Sequence, residues 1–115
     1  MKKVDEFYDC KLLDRLIEIM NCSVYLDTFA GTHVYETDTV SVSCLFDKHE
    51  GTITILSIVS RKKGSGRRAI EAIHTFADEV RCDVYADSVA ETAKGFWQKM
   101  GYEETSEKDL WVRMV

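Results

Sequence analysis

Between Ser57 and Ile70 the chain reads SIVSRKKGSGRRAI. Arg61, Lys62, Lys63, Arg67 and Arg68 surround two glycines, Gly64 and Gly66, with apolar residues on both sides. Cations beside glycines are the chemistry of anion capture. Glycine removes the side chain that would block a close approach and permits the backbone angles of an anion nest. If a strand precedes this stretch and a helix follows it, the unpaired amides of the first helical turn add partial positive charge at the same spot. Two familiar phosphate loops do not fit. The Walker pattern G-x-x-x-x-G-K-[ST] is absent, and Gly64-Ser65-Gly66 has no third glycine three positions on, so the dinucleotide-binding pattern fails too.

The other reactive residues are scattered. Asp87 and Tyr85 lie together near the end of an apolar segment, where Asp87 is placed to act as a base or an amine anchor. His74 falls at the edge of a helical apolar stripe and reads as structural, and His33 and His49 fall in loops or turns. Glu36 and Asp38 are two further carboxylates close together in the sequence. Cys10, Cys22, Cys44 and Cys82 contain no C-x-x-C pair and read as free thiols.

Charge narrows the ligand. The net charge is −5, yet five of the 15 basic residues stand in this one stretch and all 20 acidic residues stand outside it. An acidic chain with one basic spot suits a compact anion and argues against general nucleic-acid binding. The 115 residues predict a single domain over 1–115. No apolar run approaches the roughly 18 residues of a membrane span. Acids follow Met1-Lys2-Lys3-Val4 where a signal peptide would be apolar, so a cytoplasmic location is expected.

The elements that would position these residues follow from periodicity. Helical spacing of Val4, Phe7, Cys10, Leu13, Leu16, Ile17 and Met20 predicts a helix from about Glu6 to Met20, capped by Asp5 and ended at Asn21. A short strand over Val24 to Phe29, closed by Gly31, comes next. The segment His33 to Phe46 ends in strict alternation (Val40, Val42, Cys44, Phe46), which predicts a half-buried strand. Asp47 to Gly51 is a hairpin turn into a strand over Ile53 to Val59. A helix from about Gly66 buries Ile70, Ile73, Phe76, Ala77 and Val80, and a strand over Asp83 to Ala86 follows. Ser88 and Glu91 form a capping-box pattern for a third helix with Val89, Ala93, Phe96 and Met100 inward. Gly101 is its left-handed stop, with Tyr102 folding back. Strands near Tyr102 to Thr105 and Leu110 to Met114 finish the chain. The expected fold is α+β: a mixed, mostly antiparallel central sheet flanked by helices, with one right-handed parallel β-α-β crossover. A crevice opens where such parallel strands diverge. The edge strands leave monomer and homodimer both open.

Arg61-Lys62-Lys63-Gly64-Ser65-Gly66 resembles the pyrophosphate loop R/Q-x-x-G-x-G/A of the GNAT superfamily, the acyl-CoA-dependent N-acyltransferases. Ala93 to Tyr102, AKGFWQKMGY, resembles that family's A-x-x-F-Y-x-K-x-G-F helix end. The likeness runs from about Val40 to the C-terminus. It implies acetyl-CoA as co-substrate, a small amine or protein amine as acceptor, and direct attack without an acyl-enzyme. The amides of Lys63 to Arg67 would hold the pyrophosphate. Ile58 and Val59 would pair with the pantetheine amides, one N–H polarising the thioester carbonyl. Arg61, Lys62, Lys63, Gly64, Ser65, Gly66, Arg67 and Trp97 complete the implied cofactor site. No metal is implied. Trp97 stands where the family has a proton-donating tyrosine, and Ala90 where an asparagine often meets the cofactor. Indole has no usable acidity near neutral pH. Either the thiolate leaves unaided, or Tyr85 or Tyr102 substitutes, or the chain binds CoA without transferring anything.

Overall fold

A computed structural model describes residues 10–27, 32–47 and 49–114, with side chains from Arg15 onward in the first helix. The expected cap at Asp5, the helix start over residues 6–9, and the strand end at Thr28 to Gly31 lie outside the described residues. The elements are α1 (Cys10–Met20), β1 (Ser23–Asp27), β2 (Thr32–Glu36), β3 (Val40–Asp47), β4 (Thr52–Ser60), α2 (Ser65–Val80), β5 (Asp83–Ala86), a 3-10 turn (Glu91–Ala93), α3 (Lys94–Lys99), β6 (Glu103–Glu104) and β7 (Trp111–Arg113).

Among the described residues one seven-stranded sheet runs β1-β2-β3-β4-β5-β7-β6. Within it only β4 and β5 pair in parallel; the other neighbours are antiparallel. This is the architecture expected, with one element more. The segment His33 to Phe46 is two strands, not one, because the chain reverses at Thr37-Asp38-Thr39. No glycine or proline marks that turn. The Thr37 hydroxyl makes it instead, accepting the amides of Thr39 and Val40 at 3.2 Å each.

Alternation in β3 turns Val40, Val42 and Cys44 into the core. Ile53 and Ile55 of β4 and Val84 and Ala86 of β5 join them. The α2 stripe of Ala69, Ile70, Ile73, Phe76 and Ala77 covers this face, with Phe76 edge-on to Phe46 at 6.2 Å. Ile70, Ile73, Val42 and Val84 are fully enclosed, each contributing about 1.5–3 kcal/mol of transfer energy. Helix α1 packs beside α2 and ends, as its sequence predicts, at Asn21 in the left-handed region (φ 53). The side chains alternating to the other sheet face include the exposed Tyr25, Leu45 and Val59. Among the described residues no helix is long and apolar enough to cross a membrane, and Cys22, Cys44 and Cys82 are unbridged.

The capping box fails. Ser88 adopts φ 57 and caps nothing; the 3-10 turn starts after Ala90 with no side-chain cap, and Glu91 pairs with Lys94 at 3.1 Å. The cause is tertiary: the Val89 amide donates to Asp109 C=O at 2.9 Å and its side chain is buried, so the chain must first cross to the β6–β7 loop. The stop at Gly101 matches its sequence signal, with φ 94 and the Tyr102 amide donating to Trp97 C=O at 3.0 Å.

Candidate functional site

The site begins where two strands part. Strands β4 and β5 pair from Thr52↔Asp83 to Ile55↔Ala86, and the Asp87 amide adds a last bond to Ile55 C=O at 3.0 Å. Beyond it β4 continues to Ser60 while the other chain turns away. A bulge sharpens the parting. Cys44 pairs with Ile55 and Ser43 with Ser57, so Leu56 is an extra residue on β4. A bulge bends its strand and raises the local twist.

The fork leaves a row of main-chain groups open. The Arg61 amide donates to Thr39 C=O at 2.7 Å, which sets the phase of the β3–β4 ladder. In that phase Ser57 and Val59 turn their main-chain groups towards β3, and Ile58 and Ser60 turn theirs to the open edge. The cleft there has a volume of about 340 Å³. Ile58, Ser60 and Gly66 form one wall; Asp87, Ser88, Val89, Ala90, Ala93, Phe96 and Trp97 form the other. Of the pair Ile58 and Val59, Ile58 therefore faces the cleft. Val59 points its side chain to the far face of the sheet, 55% exposed.

At the head of the cleft Gly64 caps α2 with φ 87, an angle that L side chains rarely adopt. The Ser65 amide donates to Lys62 C=O at 3.0 Å and the Arg68 amide to Gly64 C=O at 3.1 Å. The amides of Gly66 and Arg67, in the first turn, have no carbonyl of their own helix to bond. Gly66 faces β4. A Cβ added there would lie 3.6 Å from Ser60 Cβ and 3.7 Å from Ile58 Cγ2, in the gap between helix and strand. Ser60 Oγ ties the loop down by donating to Lys62 C=O at 2.9 Å.

The cations divide. Lys62, Lys63 and Arg67 are exposed around the loop, Arg67 reaching Glu71 at 3.3 Å. Arg61 looks elsewhere. Its guanidinium donates to Thr37 C=O at 2.9 Å and Ser41 Oγ at 3.1 Å, and stands 3.8 Å from the Glu36 carboxylate. The side chain is a clasp between the glycine loop and the Thr37–Thr39 turn. Arg61→Ala is expected to lower unfolding free energy by about 1 kcal/mol, checked by urea denaturation.

Asp87 is the one titratable side chain among the described residues that line the cleft. Tyr85 is not there. It alternates with the buried Val84 and Ala86 and so points to the opposite face of β5. Tyr102 does not line the cleft either. It is buried, with its hydroxyl 2.7 Å from His74 Nε2, and burial pushes its pKa up. Burial pushes His74 down to about 4, with the Arg113 charge adding to that effect and Asp78 opposing it. Trp97 serves both core and cleft: it packs edge-on against Phe96 at 5.1 Å and Tyr102 at 4.8 Å. Ser65 does not line the cleft, and its hydroxyl is buried.

No family model and no curated protein matches this sequence. Among solved structures, the N-acetyltransferase Naa50 of Arabidopsis thaliana, in complex with the bisubstrate analogue CoA-Ac-MVNAL, is similar with a TM-score of 0.53 and 20% sequence identity. The likeness covers 91% of this chain and 92% of that one. With its strand order, single parallel pair and forked β4, the chain has the fold of the GNAT N-acyltransferases.

Proposed function

We propose that this protein is a GNAT-type N-acetyltransferase that moves an acetyl group from acetyl-CoA to a primary amine. One observation carries the reading: the open edge of β4 leads directly to a glycine loop whose helix presents unbonded amides. The amides of Gly66 and Arg67, with Lys62 and Lys63 nearby, would hold the pyrophosphate. The main-chain groups of Ile58 and Ser60 would pair with the pantetheine arm as an added strand. Bound acetyl-CoA supplies the activated acyl carbon. An amine lone pair forms the C–N bond, the C–S bond breaks, and the amine's proton passes to Asp87 directly or through water. The acidic remainder of the chain favours a cationic acceptor. The analogue bound by Naa50 joins CoA to a peptide, which makes a peptide amine the first acceptor to try.

A second reading has its own support. Trp97 replaces the proton donor, Tyr102 is engaged with His74, and Tyr85 faces away. A chain that binds CoA without transferring an acyl group would look like this.

Calorimetry with acetyl-CoA, followed by an acetylation assay over small amines and peptides, separates the readings. Saturable binding with turnover that falls at least about tenfold in Asp87→Asn is expected. Binding without turnover on any amine supports the second reading. No binding at millimolar acetyl-CoA removes both.

A further inference from the structure

The bulge bends β4, but the parting of the strands has a second cause on the β5 side. Strand β5 has β4 on one flank and β7 on the other. The Asp87 amide still bonds β4, through Ile55 C=O at 3.0 Å. In a regular strand, residues two apart turn their amides to the same neighbour. An extended chain would therefore aim the Val89 amide at β4 as well. It does the opposite. The Val89 amide donates to Asp109 C=O at 2.9 Å, and counting on from Ala86↔Trp111 puts Asp109 on the β7 flank. The change of partner falls at Ser88, whose φ is 57. Asp109, the acceptor, is left-handed too, at φ 60, in a loop closed by the Thr105 amide on Leu110 C=O at 3.0 Å. Non-glycine residues are uncommon at such angles, and they gather where surrounding structure imposes them for a function. Ser88 is exposed, so packing of its own side chain does not impose the angle. The bond between Val89 and Asp109 does, with the Val89 side chain buried behind it.

We infer that Ser88 and Asp109 are positioning residues that hold the cleft open, an inference that rests on the reading of the cleft as an acetyl-CoA site. Left-handed Ser88 reverses the Val89 amide, and left-handed Asp109 presents the carbonyl that receives it. Together they draw residues 87 to 90 away from β4. The main-chain groups of Ile58 and Ser60 then stay free for the pantetheine arm, and Asp87 is fixed on the opposite wall. Without this latch the chain after Asp87 can run on as a strand, bond β4 and cover the groups the arm would use.

The test is acetyl-CoA calorimetry and amide hydrogen exchange on the full chain, with valine and asparagine placed at each position. A β-branched residue resists a left-handed φ, whereas asparagine tolerates it at similar bulk. Ser88→Val and Asp109→Val are each expected to weaken acetyl-CoA by at least about tenfold. Ser88→Asn and Asp109→Asn should stay within about threefold of the wild type, since the backbone and not the side chain makes the latch. The Val89 amide should exchange faster in Asp109→Val and keep its protection in Asp109→Asn. A folded valine variant at either position that binds like the wild type would overturn the inference. So would asparagine variants as weak as the valine ones, or a Val89 amide equally protected in Asp109→Val. If one valine variant does not fold, the other decides alone. A wild type that fails to bind acetyl-CoA removes the reading of the cleft and this inference with it; a wild type that binds, with valine variants unaffected, removes this inference alone.

Discussion

Gly66→Glu is expected to abolish acetyl-CoA binding, a loss of at least about a hundredfold, while the protein remains folded. The position is in helical backbone, and a Cβ there meets only ordinary contacts at 3.6 Å and beyond, so the chain itself has little reason to object. The ligand does. A carboxylate in the first turn of α2 would occupy the gap beside Ile58 and Ser60 and put negative charge where the proposed diphosphate would sit. At an effective dielectric near 20, two unit charges 4 Å apart repel by about 4 kcal/mol. Gly66→Ala separates the two causes. It adds volume without charge, favours the helix by about 0.5–1 kcal/mol, and should weaken binding by a smaller factor. Calorimetry and thermal melts of both variants check this. Undiminished binding in Gly66→Glu would show that the loop is only a turn.

The second large effect is on stability in acid. His74 is buried against Tyr102, and its pKa falls from 6.5 to about 4. The fold therefore favours the neutral ring. The stabilisation is fully present above pH 6.5, the unfolded value, and is lost as pH falls towards 4. A shift of that size corresponds to about 3 kcal/mol. His33 is also lowered by burial and adds to the slope in the same window. The carboxylates of Asp78 and Glu79 are held below their ordinary values by Arg113 and Arg15, so their contribution is lost only in stronger acid. His74→Asn keeps a polar side chain but cannot titrate. Its unfolding free energy should vary with pH by about 3 kcal/mol less between pH 6.5 and 4, whatever its absolute value. Urea titrations across that range measure it; an unchanged pH dependence would place the acid sensitivity elsewhere.

What the sequence could reveal depended on distance along the chain. The α2 stripe, the β3 alternation, the stop at Asn21 and the glycine at 101 are local signals, and the structure carries each of them. The Thr37–Thr39 turn was legible in principle, because a threonine hydroxyl can cap a turn that lacks glycine. The bulge at Leu56 was not. It exists only as a mismatch of register between two strands, which neither strand encodes alone. The same holds for Arg61, which looks like a phosphate ligand until the turn it grips is folded beside it. Ser88 misled for the converse reason: its local pattern is sound, but the bond from Val89 to Asp109 outweighs it.

The seam between the fourth and fifth strands is left unfinished after Asp87, and that has an evolutionary consequence. Residues 87 to 90 stand under opposed demands. Substitutions that extended the pairing would heal the sheet and harden the molecule, yet seal the entrance that the proposed cosubstrate would use. Robustness and capture compete here for the same few backbone groups.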